Sequence, residues 1–302
     1  MAKLPITVII LTLNEEFNLP GAIESVKGWA EEVFVVDSCS TDRTVDIALE
    51  HGVGIVQRPF TNYSDQWNWA IDNLPIKTEW MMKLDADERV NNELKEEICE
   101  VLSTDPEEAA FVIPVRNWFM GKPIHTKVYV VRLWRKNKSR FSDVIVNEHL
   151  IVDGITGRLQ CHIEHHDSPD LHHWCEKQNR YTTMEAIMRV RGDAMATTPK
   201  FFGSPLERRM YLKKIFFSVP FRYQLQWIYE IFVRGAWRDG FRGLTCARGE
   251  IVKLRMIELK VKEIKTTGRI PEEPKAPHGD YDPRILASDL QKLVFSDNRL
   301  SD

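Results

Sequence analysis

The first half of this chain alternates short apolar runs with segments of helical period, and that alternation restricts the fold more than any other feature. The apolar runs are ITVIILTL, VFVVD, GIVQ, WMMKLD and AAFVIPV. Between them, residues 19–26, 41–51, 64–74 and 91–102 carry apolar side chains at helix-like spacing, often with Ser, Thr or Asn near the start. A β-α-β-α order of this kind predicts an α/β fold with a mainly parallel sheet flanked by helices. In such sheets ligands gather outside the carboxyl ends of the strands, where the chain leaves the core. The polar residues follow that rule: the first run ends in Thr12 and Asn14, the second in Asp37 and Ser38, the fourth in Asp85 and Asp87.

The fourth run poses the sharpest question, because a stretch as apolar as EWMMKL ends in three acids, Asp85, Asp87 and Glu88. Acids ahead of a helix such as 91–102 complement its dipole, which would make them a surface loop. Carboxylates spaced i and i+2 at a strand end also supply what a hard cation with a diphosphate needs: oxygen ligands, with positions left open for phosphate and water. Asp37 directly follows four apolar residues and is expected to emerge at the same rim, whereas Asp42 reads as a helix cap.

Taken in order and spacing, ITVIILTLNEEFNLPGAIESV, EVFVVDSCSTDRTVDIA and WMMKLDADE resemble the family 2 glycosyltransferases of the GT-A fold, and within them the branch that includes the lipopolysaccharide-core β-glucosyltransferases. Later stretches, VVRLWRKNKSRFSDVIVNEHL, IEHHDSPDLHHWCEKQNRYTTMEA and FVRGAWRDGFRGL, extend the resemblance to about Lys260. It implies a Rossmann-like GT-A domain over 1–170 and a helical acceptor or membrane-associating region over 171–265, while the Pro-rich polar tail over 266–302 is read from its composition. By the same resemblance Asp37 contacts the uracil of a UDP-sugar, Asp85 the ribose or sugar, and Asp87 a Mg2+ or Mn2+ ion, with Thr12, Asn14, Glu16, Asn68 and Ala86 along the nucleotide. The family draws its catalytic base from beyond the sheet, and the best match is Glu148 in VNEHL, preceded by Asn147 where the family more often has His. The implied reaction is an inverting transfer of a hexose to a hydroxyl of a glycan or glycolipid acceptor.

CHIEHHDSPDLHHWC concentrates histidine and cysteine, yet its spacing matches none of the paired templates of a structural zinc site. The resemblance places one His near the metal instead. Period-two reading puts Leu159, Cys161, Ile163 and His165 on one face, which selects His165 over His166.

Composition bounds the remaining readings. A chain of 302 residues with 43% hydrophobic and 28% charged side chains can bury one large core or two modest ones. Its net charge of −3 provides no global basic field, so nucleic acid is not expected as a partner. Five scattered cysteines, none in a C-x-x-C arrangement, fit a reducing compartment. No stretch reaches the ~18 apolar residues of a membrane span, which favours a cytoplasmic location. Residues 200–242 nonetheless hold nine Lys or Arg, three acids and twelve aromatics. That mixture predicts either helices packed through their rings or a peripheral docking surface for anionic membrane. Two rival functions remain open. A sugar nucleotidyltransferase would carry a Gly-rich loop after the first strand, and LTLNEEFNL has no glycine; a non-catalytic nucleotide-sugar-binding protein would keep the rim and lose the base.

Overall fold

The structure, a computed structural model, describes residues 3–142, 150–168, 170–192, 198–203 and 205–271. They form two compact units: residues up to 116 together with 127–166, and residues 117–126 together with 167 onward. In the first unit the strands are β1 (Leu4–Thr12), β2 (Ala30–Asp37), β3 (Gly54–Gln57), β4 (Trp80–Asp85), β5 (Glu88–Val90), β6 (Ala110–Phe119), β7 (Lys122–Arg135), β8 (Ser139–Phe141), β9 (Leu150–Val152), β10 (Thr156–Arg158) and β11 (Ile163–His165). The main sheet has the order β3-β2-β1-β4-β7-β6-β11-β5, with β10 also on β6. Strands β1 to β4 are mutually parallel where they pair, and β7 joins β4 antiparallel. This is the mixed, mainly parallel α/β sheet expected of a GT-A domain.

Helices α1 (Leu19–Val26), α2 (Thr44–Glu50), α3 (Tyr63–Asn73) and α4 (Asn92–Ser103) lie where the helical periods were read. Local chemistry sets several of their starts. Asn62 and Asn91 accept the backbone N–H of Asp65 and Leu94, capping α3 and α4. Helix α2 begins three residues later than its period suggests, because residues 40–42 are occupied by bonds to the loop after β1. Asp42 is not the cap residue, which is Arg43; it stands one residue earlier and accepts the N–H of Thr44 at 3.0 Å in a turn.

Both faces of the sheet are covered, which explains why its central strands are apolar throughout. Val8, Ile10, Met82 and Leu84 face one core with α1 and α4, while Ile9 and Met81 face the other with Trp67 and Trp134. Alternate residues of each strand therefore anchor opposite layers, and the positions left over for chemistry are at the strand ends.

The second unit is helical: α5 (Leu171–Arg191), α6 (Pro205–Ser218), α7 (Arg222–Ile228), a π turn (Tyr229–Val233), a 3-10 turn (Ala236–Asp239) and α8 (Gly240–Thr267). Asp170 caps α5 through the N–H of His173, and Gly192 ends it at φ 92°, a left-handed conformation that suits glycine. Helices α5 and α8 share a small core of Ala186, Ile187 and Ile264. Their approach depends on Gly249, since a Cβ there would meet the Trp174 ring at 2.7 Å. Residues 117–126, the turn between β6 and β7, join this unit through His125, whose N–H and Nδ1 lie 2.8 and 2.9 Å from the Asp239 carboxylate.

Candidate active site

Strand register sets three rim residues side by side: Thr12 pairs with Asp37, and Leu11, one residue earlier, pairs with Asp85. Asp37 does not emerge as the sequence suggested. It is fully buried, and its carboxylate accepts the Thr12 hydroxyl at 2.9 Å, the Ser40 N–H at 2.8 Å, the Ser40 hydroxyl and the Gln57 amide at 3.0 Å. A buried carboxylate needs this much compensation. Around it the loops after β1 and β2 brace each other. The backbone N–H groups of Asn14, Glu15 and Glu16 donate to Ser40, Thr44 and Asp42, and the Asn14 side-chain oxygen accepts the Thr41 N–H at 2.8 Å. Asn14 itself sits at φ 54°, a left-handed conformation in which Asn is among the better tolerated residues.

After β4 the acids form a tight turn into β5 rather than a loop leading to a helix. The Glu88 carboxylate folds back to accept the Asp85 N–H at 2.9 Å, and Arg132 from β7 donates to Asp85 at 2.7 Å and to Glu88 at 2.5 Å. Burial pushes the Glu88 carboxyl up to about 7, with Arg132 opposing it. Burial acts on Asp85 in the same direction, but Arg132 and Lys83 outweigh it and hold that carboxyl below its ordinary range. Asp85 is thus kept ionised while remaining partly open to solvent. Arg89 clamps the turn from behind, donating to the carbonyls of Ala86, Glu88 and Asn18. Its guanidinium fills the space where a Cβ at Gly21 would stand.

Strand β5 pairs antiparallel with β11, placing His165 opposite Glu88. The His166 N–H donates to the Asp87 carbonyl at 2.8 Å, and His165 Nε2 lies 3.1 Å from Asp87 Oδ2. A carboxylate oxygen and an imidazole nitrogen are therefore adjacent on a backbone held by strand pairing. Such a mixed donor set fits a divalent ion of the Mg2+ or Mn2+ kind, with the imidazole favouring the softer Mn2+. The other histidines are engaged differently. His162 lies 3.0 Å from Glu164, which also pairs with Arg116, and His172 is 85% exposed at its side chain. Burial lowers the pKa of His166, with Arg89 adding to the effect.

Residues 7–155 match the family model described as Glycosyl transferase family 2. The chain carries a family 2 glycosyltransferase domain. A lipopolysaccharide core biosynthesis glycosyltransferase, LpsC of Rhizobium meliloti, is 27% identical over 80% of this chain and 86% of its own. An uncharacterized glycosyltransferase of Rickettsia bellii is 32% identical over 46% of this chain, which thereby spans about half, 49%, of that protein. The crystal structure of Staphylococcus aureus TarS is similar at 15% identity and a TM-score of 0.41, covering 87% of this chain and 92% of that one.

Within the glycosyltransferase domain the structure brings together Thr12, Asn14, Glu16 and Asp37 in one braced pair of loops, and Asp85, Asp87 and His165 around one turn. Two expected nucleotide contacts are placed otherwise. The Asn68 amide is buried and exchanges both bonds with the Phe141 backbone, at 2.9 and 3.0 Å, so it anchors β8. Ala86 is buried in the core, and its carbonyl is held by Arg89. Glu148 lies outside the described residues. Sequence reading missed Arg132 and gave Glu88 no role of its own, although a lone cation inside the apolar run VYVVRLW was a usable signal that a buried acid would face it.

The four donors on Asp37 give the first prediction. Asp37→Ala removes the acceptor shared by the buried Thr12 hydroxyl, the half-buried Ser40 and the exposed Gln57 amide, so the domain should lose about 1–3 kcal/mol of stability. The urea midpoint of unfolding should fall accordingly. An unchanged midpoint with weakened UDP affinity would return Asp37 to the role of a base-contacting residue.

Proposed function

We propose that this glycosyltransferase moves a hexose from a UDP-sugar to a hydroxyl of a glycan or glycolipid acceptor, with inversion at the anomeric carbon. The observation that carries the reading is the Asp87–His165 pair, set beside an Asp85 that Arg132 keeps ionised. Asp87 and His165 are the groups that would hold Mg2+ or Mn2+, which would neutralise the departing diphosphate. Asp85 offers an ionised acceptor to hydroxyls of the ribose or sugar. A sugar hydroxyl hardly ionises at neutral pH, so a carboxylate must take its proton as the new bond forms, and Glu148 is assigned that role. Displacement by the acceptor opposite the leaving group inverts the anomeric centre without a sugar–enzyme intermediate. The similarity to the lipopolysaccharide core biosynthesis glycosyltransferase of Rhizobium meliloti supports a saccharide of the lipopolysaccharide core as the acceptor class.

The test is a donor screen. UDP-hexoses are incubated with the chain, Mn2+ and a lipid-linked core saccharide, and UDP release is followed. Release that depends on the acceptor and stops with EDTA is expected. Pyrophosphate release from a nucleoside triphosphate and sugar phosphate would instead mark a nucleotidyltransferase, and the absence of turnover on every nucleotide sugar would leave only a binding protein.

A further inference from the structure

Asp85 and Asp87 stand two residues apart on the same turn, yet only one of them meets an imidazole. Asp87 Oδ2 lies 3.1 Å from His165 Nε2, while Asp85 Oδ2 accepts a bond from Arg132 Nη2 at 2.7 Å. Either acid could serve a hard cation, since both offer carboxylate oxygens. The difference between them lies in what each already holds.

Arg132 reaches Asp85 from within the sheet. Leu133 of β7 pairs with Met82 of β4, so Arg132, one residue earlier in β7, stands beside the carboxyl end of β4. Its side chain is 9% exposed, and the same Nη2 also donates to the buried Glu88 at 2.5 Å. A guanidinium bound to one carboxylate usually lies against it with two parallel bonds. Here one nitrogen is shared by two acids, and the buried Nε has no partner among the described residues. An orphaned donor is a cost to stability, so the geometry favours the bridge over the best single pairing. Lys83, the other cation near Asp85, is 3.8 Å from Oδ1, beyond hydrogen-bond distance, and lies over the Trp67 ring.

We infer that Arg132 is a positioning residue that withholds Asp85 from the metal: by engaging Oδ2 it directs Asp85 to donor hydroxyls and leaves the ion to Asp87 and His165. This rests on the reaction proposed above and adds the residue that sets the separate roles of the two acids. The Asp87 charge opposes that of Asp85, so the two carboxylates act on one another across the turn. Affinity for a hard cation rises with the number of charged oxygens it can take. Releasing Asp85 should therefore strengthen metal binding and weaken transfer.

Arg132→Met alone would leave Glu88 as a buried unpaired charge, so the test joins it to Glu88→Gln. Glutamine can still accept the Asp85 N–H, Arg89 still holds the turn through the Ala86 and Glu88 carbonyls, and the net charge is unchanged. Free Mn2+ is followed by electron paramagnetic resonance as it is titrated into the full chain with UDP. The double variant should bind Mn2+ at least ~5-fold tighter than the parent, and adding Asp85→Asn should abolish the gain. Sugar transfer by the double variant should fall by ~10- to 10²-fold, as misplacement of a positioning group predicts. Damage to the fold would weaken the metal instead. A parent chain that binds no Mn2+ overturns the metal reading and this inference together; a parent that binds it, with a double variant that binds no tighter, overturns this inference alone. A gain that survives Asp85→Asn also overturns it. Should the double variant melt early, Asp85→Asn in the parent decides: Mn2+ affinity near that of the parent upholds the inference, and a fall makes Asp85 a ligand and overturns it.

Discussion

Asp87→Asn should lower sugar transfer by at least ~10³-fold, the size expected when several kcal/mol of charge stabilisation at the leaving group is lost. The substitution keeps the side chain's size and removes its charge. The turn itself should survive, because Asp87 holds β11 through its carbonyl, which accepts the His166 N–H, and because Arg89 and Arg132 fasten its neighbours. The discriminating measurement is UDP titration with Mn2+ and with EDTA. In the parent chain Mn2+ should strengthen binding; in Asp87→Asn the two titrations should coincide at the weaker value. Retention of the Mn2+ effect by the variant would remove Asp87 from the metal site, and loss of folded signal would show a structural role instead.

Glu148→Gln should leave UDP-sugar affinity near that of the parent and lower transfer to the acceptor by ~10²- to 10⁴-fold, the range typical for removal of a general base. Glutamine retains the size and hydrogen-bonding capacity of the side chain while losing the proton acceptor. Because the donor-binding groups are untouched, slow hydrolysis of the UDP-sugar by water should persist. The split between transfer and hydrolysis is the signature of a base. Transfer at a near normal rate would move the role to another carboxylate, with Asp143 and Asp153 the nearest in sequence.

Much of the first unit was legible because local and global preferences coincide there. The α1 segment appears with the bounds its period indicated, and α3 and α4 within a residue or two of theirs, because each has an apolar face of helical spacing and two of the three have an Asn cap. The carboxyl-end rule correctly gathered Thr12, Asp37 and Asp85. It erred on exposure. A residue after four apolar positions was expected at the open rim, but the Ser40 and Gln57 donors that enclose Asp37 come from the following loop and from β3. Strand β5 went unread because three residues after a turn carry too little periodicity to stand apart from the approach to α4.

The sequence alone determined the strand–helix order, the placement of acceptors at the carboxyl ends of β1, β2 and β4, and the family, since these depend on residue type and spacing along the chain. Only the tertiary structure decided which acids are paired with Arg132 and that His165, which the period-two reading favours over His166, lies against Asp87. Those outcomes depend on β7 delivering Arg132 from 47 residues beyond Asp85 and on β11 delivering His165 from 78 residues beyond Asp87. The polarity of α7 was likewise decided in three dimensions. Its composition allowed the rings to pack inward or face outward, and both occur: Tyr223 and Trp227 are half-buried, while Phe221 and Phe232 are exposed and Arg222 is held by Glu258 of α8.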